Sequence, residues 1–314
     1  MVLSLRGERI YQLRMKRQTW LVTGATGLIG SALSSALIAE GHKVRALGRT
    51  NKCPKGTQPF VWNPETGMFP SEALQGVDVV VHLAAASVGK RWTTNHKKAI
   101  FNSRVSSTSL LRSELLKANF CGPWIQASAI GIYGHHPAPC DEQTESGSGF
   151  LAEVAHAWER AAIHGETLGC RLVQMRLGLV LAPNGGTLKK LLPIYKLGLG
   201  APLGVGKQPM GWIHIDDVVR FIVWAAANDS AQGPFNVVAP EHASNALFST
   251  CLAGVLNRPH WAPAVPRFAL HLTMGSMSSL LLEGQRAVPS KLQQAGFVWK
   301  HPELADALAN CVHV

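Results

Sequence analysis

Apolar residues fall along this chain in short runs, and most runs lead into a stretch of helical spacing. Trp20-Leu21-Val22 is the first run; Ser31 to Glu40 follows with helical periodicity and stops at Gly41. Lys43 to Leu47 reads as a second strand and Phe60 to Trp62 as a short third. Val77 to Ala85 is almost wholly apolar, the pattern of a central parallel strand buried on both faces. The spacing then predicts a helix over Thr94–Ala118, a fifth strand over Pro123–Ser128, a helix over Phe150–Leu168 and a sixth strand over Arg171–Arg176. Strands alternating with helices predict an α/β fold, a Rossmann-like doubly wound parallel sheet. Past Pro183 the texture changes. Leu197 to Gly206 carries too many glycines for a regular helix, and Trp212 to Asp217 leads into a helix for which Asp216 or Asp217 is the expected N-cap. Phe235 to Val238 reads as another strand. From Ser244 onward the pattern is helical with proline-bearing connectors, ending near Pro302–Asn310. The expected organisation is a tail over 1–17, a main domain over 18–240 and a small, mostly helical C-terminal lobe over 241–314.

Between the first strand and its helix lies Gly24-Ala25-Thr26-Gly27-Leu28-Ile29-Gly30. Glycines at a strand-to-helix turn bring backbone N–H groups to a helix N-terminus, where a pyrophosphate can sit. Gly24 permits the tight turn, Gly27 lets a cofactor approach the main chain, and Gly30 lets helix pack on strand. A site that prefers NAD usually places an acid about 20 residues past such glycines, to accept from the ribose 2′-hydroxyl. Nothing between Gly41 and Glu65 is acidic, and Arg49 stands where the acid would be. A guanidinium can clamp a 2′-phosphate through two parallel hydrogen bonds, so the expected cofactor is NADP(H). The small residues Ala84, Ala85 and Ala86 after the fourth strand leave room for a ligand where open α/β sheets bind one.

The 314 residues suit one large α/β domain with a small appendage, and 46% hydrophobic content suffices for a substantial core. The net charge is +11, of which the first seventeen residues carry +4. The remaining cations are scattered, with no dense basic tract and no aromatic ladder, so no nucleic-acid or membrane partner is expected. An anionic cofactor accounts for part of the excess. Six cysteines show no CxxC spacing and read as reduced thiols of a cytoplasmic protein. His135-His136 near Cys140 lacks the further ligands a metal site needs and reads as a polar loop. The longest apolar stretch near Val218 is too short to span a bilayer. The N-terminal segment is basic without an apolar signal core, and Met15 just before the first strand fits a misassigned start or a disordered tail.

Together these residues resemble the short-chain dehydrogenase/reductase superfamily in its extended, epimerase-like form. Further segments sharpen the likeness: Arg91-Trp92-Thr93, Ser103-Arg104-Val105, Gly131-Ile132-Tyr133-Gly134, Trp158-Glu159, Gly198-Leu199-Gly200, Trp212 to Asp217, Asn236 to Pro240 and Glu283 to Arg286. They are similar to atypical "epimerase family" proteins, which pair a nucleotide-binding fold with a small C-terminal domain of unknown function. The resemblance implies cofactor contacts at Gly24, Thr26, Gly27, Leu28, Ile29 and Gly30, at Gly48 and Arg49, at Leu83 and Ala84, at Arg104 and at Leu179. It also implies a homodimer through the helices flanking the site.

One departure matters. Typical members of the superfamily use a Tyr-x-x-x-Lys pair, in which lysine lowers the tyrosine pKa and the phenol relays a proton. In the register of Trp158-Glu159 these positions hold Leu151 and Ala155, which carry no acid–base group. Ser128, ending the fifth strand, and Tyr133 are the candidates for a replacement catalytic hydroxyl. Arg91 and Trp92 are candidates for holding an anionic substrate, and Arg176 for a site cation or the partner of a buried acid. His82, inside an apolar strand, reads as a satisfied core histidine. Two functions stay open: an NADP(H)-dependent oxidoreductase or epimerase-like enzyme on a small polar substrate, and a catalytically retired NADP(H)-binding sensor or regulator.

Overall fold

The computed structural model describes residues 17–136, 138–165, 169–183 and 185–312. The tail expected over 1–17 lies, apart from Arg17, outside the described residues.

The apolar runs form the strands of one sheet: β1 (Thr19–Thr23), β2 (Lys43–Gly48), β3 (Gln58–Val61), β4 (Val79–His82), β5 (Pro123–Ala129), β6 (Arg171–Leu177) and, after the intervening short strands, Gly233–Val237. Every strand pairing in it is parallel. From one edge the order is the Gly233–Val237 strand, β6, β5, β4, β1, β2, β3. The chain therefore winds outward from β1 to β3, then crosses back to lay β4 on the other side of β1. That reversal is the switch point at which a doubly wound sheet opens a crevice at its carboxyl edge. Val79, Val80 and Val81 are wholly buried, because helices cover both faces.

Three helices frame the site: α1 (Leu28–Ala39), α2 (Thr94–Lys117) and α3 (Phe150–Ile163). The helix α2 begins with Thr93, whose hydroxyl accepts the N–H of His96. Helix α3 ends five residues earlier than the spacing suggests. His164 is already extended and Gly165 has φ +107°, a left-handed conformation that ends helical pairing.

The second core belongs to the lobe, and it recruits residues from well before position 241. Strand β7 (Leu179–Leu181), helix α4 (Gly186–Lys196) and the short strands β8 (Pro209–Met210) and β9 (Trp212–His214) contribute Leu181, Leu188, Tyr195, Met210 and Trp212. These pack against Phe248, Leu252, Leu304 and Leu308 from the last seventy residues. Conversely, Leu292 and Phe297 belong to the core of the main sheet. The two cores thus interleave along the sequence.

The helix after β9, α5 (Ile215–Ala227), corrects one expectation. Its N-cap is His214, whose Nδ1 accepts the N–H of Asp216 at 3.2 Å. The two acids do other work. Asp217, fully buried, accepts the backbone N–H groups of Lys300 (2.6 Å) and His301 (2.9 Å), while Asp216 pairs with the Lys300 ammonium at 2.6 Å. Together they fasten the C-terminal segment to the sheet domain.

Candidate functional site

The glycine turn is built by contact as well as by conformation. Gly24 has φ +67°, and a Cβ there would lie 2.9 Å from the carbonyl carbon of Leu83. A Cβ on Gly30 would lie 2.3 Å from the carbonyl oxygen of Gly24 and 2.7 Å from Ala25 Cα. Both positions need glycine to bring the turn against its neighbours. Thr23 Oγ1 holds the end of β4 to this turn by accepting the N–H groups of Leu83 (3.0 Å) and Ala84 (3.1 Å). Gly27 differs. It is the N-cap of α1 with ordinary backbone angles, its side offers no capping group, and it is exposed along with Thr26. The first N–H groups of an α-helix have no intrahelical acceptor. Those of Leu28, Ile29 and Gly30 therefore converge at the mouth of the crevice with the positive end of the helix dipole.

Beyond Gly48, at the end of β2, the cations separate into two kinds. Arg45 is committed: its Nη1 donates to the carbonyl oxygens of Glu72, Ala73 and Gln75. Arg49 is exposed, and its guanidinium makes no hydrogen bond or ion pair among the described residues. A Cβ on Gly48 would meet only Thr50, so the approach to Arg49 is open.

A second wall was not legible in the sequence. The loop entering α4 lies on the glycine turn, since a Cβ on Gly185 would sit 2.3 Å from Leu28 Cδ1 and one on Gly186 would sit 3.2 Å from Leu28 Cδ2. Lys190, one turn into α4, donates to the carbonyl of Gly89 at 3.0 Å and so bridges to the loop after β4.

The proposed hydroxyls are buried in a different network. Ser128 Oγ donates to Glu159 Oε1 at 2.7 Å, and Arg176 grips the same carboxylate through Nε and Nη2, each at 2.9 Å. Arg176 Nη1 also donates to Tyr133 Oη at 2.9 Å, and the phenol donates to Asn236 Oδ1 at 2.7 Å. Asn236 in turn donates to the carbonyls of Cys140 and Val288, and its own N–H goes to Glu142. Tyr133 is fully buried, and burial, opposed by Arg176, pushes its phenol up to about 12. Ser128 is nearly as buried. Both catalytic candidates are thus engaged in buried hydrogen bonds: Ser128 ties the end of β5 to Glu159 on α3, and Tyr133 ties the segment after β5 to Asn236 and the Asp141 carbonyl. Arg176 is the partner of a buried acid. Its partners lie 17 to 43 residues away in sequence, which is why spacing gave no signal.

The positions of the missing pair are apolar in space as well as in sequence. Leu151 and Phe150 pack on a cluster of Trp92, Ile100, Val154 and Met277, and Ala155 is buried against Tyr133. His156, one step along α3, turns away to the groove between α2 and α3. Trp92 is buried, with its indole N–H donating to Val88, so it anchors the loop and has no free face for a substrate; Arg91 beside it is exposed. Arg104 donates to the carbonyls of Ala86 and Ile100 and lies 4.8 Å over the Trp158 ring, and burial lowers its guanidinium to about 10. It supports the loop that follows β4. Leu179, half-buried, packs its side chain against the lobe core, and its N–H donates to the Gly211 carbonyl.

His82 is satisfied as expected, by Thr23 on one ring nitrogen and Ser107 and Thr108 on the other. His136 bonds the carbonyl of Ala138, as a polar loop would. Among the described residues, metal-type donors converge only at His214, Asp216 and His301, within 4.8 Å of one another. There the Lys300 ammonium already neutralises Asp216.

Comparison with known proteins agrees with this architecture. A profile of the NAD dependent epimerase/dehydratase family matches residues 20–238, and one of a domain of unknown function, DUF1731, matches residues 265–311. The chain is 38% identical to the epimerase family protein Mb2239 of Mycobacterium bovis over 91% of its length and 95% of that protein. It is 35% identical to the epimerase family protein YfhF of Bacillus subtilis, covering 93% and 97% of the two chains. The crystal structure of the human epimerase family protein SDR39U1 (isoform 2) with NADPH superposes with a TM-score of 0.84 at 31% identity, over 94% of this chain and 99% of the human one. With the switch point, the glycine cradle and a lobe matching the second profile all in one chain, the protein belongs to the NAD dependent epimerase/dehydratase family.

Proposed function

We propose that the chain is an NADP(H)-dependent oxidoreductase of the epimerase-like type, acting on a small polar substrate. One observation carries the cofactor choice: the second strand ends in an exposed, unengaged Arg49 with no acid nearby, beside an uncapped helix N-terminus that only glycines could build. The NADPH carried by the human relative supports the same reading. The N–H groups of Leu28, Ile29 and Gly30 would receive the pyrophosphate, and Arg49 the 2′-phosphate. Leu83, Ala84 and the Gly185–Gly186 loop would wall the crevice. When bound, the nicotinamide supplies hydride exchange with a substrate carbon. Proton exchange would fall to solvent or to the substrate itself, because Leu151 and Ala155 hold no proton and the hydroxyls of Ser128 and Tyr133 are engaged.

A second reading, a retired NADP(H) sensor, draws on that same engagement of Ser128 and Tyr133. Calorimetric titration with NADPH and NADH separates cofactor choice from chemistry. Wild type should prefer NADPH by tenfold or more, about 1.4 kcal/mol, and Arg49→Ala should abolish the preference. Equal affinities in the wild type would remove the proposal's basis. A screen of carbonyl and nucleotide-sugar compounds for NADPH oxidation then decides between enzyme and sensor.

A further inference from the structure

Two chain segments that lie apart in sequence are adjacent in the lobe, and both expose large apolar side chains. One is the end of α4 with the glycine-rich stretch after it, where Ile194, Leu197, Leu199 and Val205 are exposed. The other holds Trp261 and the helix Arg267–Met274, of which only Leu270 is buried. Trp261, Phe268 and Leu272 are 73%, 73% and 80% exposed, more than any other large apolar side chains of that segment. The segments touch directly. Gly198 approaches Pro259, Leu203 bridges to Val265, the N–H of Val265 donates to Pro202, and Gly204 approaches Arg267. Seven of the thirteen exposed large apolar residues among the described residues gather here, so the clustering is not an even scatter.

The charge within these segments is positive, with the exposed Glu283 at their border. Residues 186–207 and 242–282 contain no Asp or Glu, while Lys196, Lys207, Arg258 and Arg267 are exposed between and beside the apolar groups. In sequence these cations look isolated; the fold brings the two segments that carry them, and the exposed apolar groups, side by side. A second copy of the chain seated symmetrically on this face would bring four cations against four, with only Glu283 at the border to compensate. Nucleic acid would use the cations but leave Leu197, Phe268 and Leu272 without partners. An anionic bilayer surface satisfies both, since aromatic and leucyl side chains enter the headgroup boundary while Lys and Arg meet the lipid phosphates.

We propose that this face of the lobe docks the protein peripherally on anionic phospholipid, with Trp261, Phe268 and Leu272 inserted and Lys196 and Arg267 on the headgroups. No helix of the described residues is long and apolar enough to cross a membrane, so the contact is interfacial. This departs from the expectation of no membrane partner, which rested on cations that are scattered only along the sequence.

The test is flotation with vesicles of phosphatidylcholine alone or mixed with phosphatidylglycerol, using the full chain. Wild type should float with the mixed vesicles, be released at high salt, and bind neutral vesicles about tenfold less or weaker. The triple variant Trp261→Ala, Phe268→Ala, Leu272→Ala should lose binding about tenfold or more, as should Lys196→Glu with Arg267→Glu. Circular dichroism and NADPH titration of each variant confirm that fold and cofactor site are intact, so failure of this proposal is separate from failure of the cofactor reading. Absence of wild-type binding to the mixed vesicles would overturn it, as would unchanged binding by both variants. A concentration-dependent dimer lost only in the triple variant would overturn it in favour of a second copy as the occupant.

Discussion

Two glycines three residues apart offer a sharp test, because one serves the fold and the other the ligand. In Gly30→Ala the new methyl would lie 2.3 Å from Gly24 O and 2.7 Å from Ala25 Cα. Carbon contacts are comfortable only at ~3.5–4.0 Å, so α1 must retreat from β1 by roughly 1 Å. Both obstacles are main-chain atoms and cannot swing aside. Overpacking of this kind costs about 3 kcal/mol, the upper end of its usual range. At ~2–4 °C per kcal/mol for a domain of this size, the apo protein should melt about 6–12 °C lower. Gly27→Ala meets only Gly24 O, at 3.2 Å, and φ −76° suits alanine. Its cost is the poorer N-cap, about 1 kcal/mol, or roughly 2–4 °C. Yet its methyl would project over the N–H groups that a pyrophosphate needs. Thermal denaturation without ligand, paired with NADPH titration, reads both effects. Gly27→Ala should lose at least tenfold in affinity, about 1.4 kcal/mol, while nearly keeping its melting temperature. Wild-type affinity in Gly27→Ala would refute the cradle, and a wild-type melting temperature in Gly30→Ala would refute the packing argument.

Other perturbations probe the braces. Glu159→Ala strands the buried Arg176 cation and should destabilise by about 3–5 kcal/mol in urea denaturation, against a smaller loss for Glu159→Gln, which keeps hydrogen-bonding atoms. Asp217→Ala leaves the N–H groups of Lys300 and His301 without their acceptor and should cost about 2–4 kcal/mol, with faster hydrogen exchange confined first to the C-terminal segment. Burial depresses His82 to about 3, and burial reinforced by His301 depresses His214 to about 4. A histidine whose folded pKa is lowered binds its proton in the unfolded chain first, so its stability contribution is complete above pH ~6.5 and is lost as pH falls toward the folded value. Stability should therefore drop by about 1.4 kcal/mol per pH unit for each histidine between pH ~6 and ~4, and a flat profile there would contradict their neutral burial.

The strands were legible because a parallel sheet covered on both faces demands unbroken apolar runs, and Val77 to Ala85 supplies one that nothing but a central strand explains. The glycine turn was legible for a related reason: each glycine answers a local steric demand within a few residues, and the contacts at Gly24 and Gly30 are of that kind. What could not be read depends on partners far away in sequence. Asp217 looks like a cap by position, but it accepts from residues 83 and 84 positions later. Packing across position 241 is of the same kind, since Tyr195 reaches Ser249 and Leu292 returns to the main sheet.

Ser128 and Tyr133 show how such distant partners change a chemical reading. A serine at the end of a strand beside the crevice is well placed to meet a substrate oxygen, and residue type and position alone cannot say otherwise. Here its proton already points at a buried carboxylate that Arg176 holds from the other side. To serve a substrate, that bond to a charged acceptor must first break, at a cost of about 1.5–3 kcal/mol. Each ~1.4 kcal/mol is a factor of ten in rate, so a route through Ser128 is handicapped by one to two orders of magnitude before chemistry begins. With Leu151 and Ala155 offering no alternative, any turnover must draw chiefly on placement of cofactor against substrate. The glycine cradle provides that placement with or without catalysis, which is why cofactor affinity and turnover have to be measured separately in this protein.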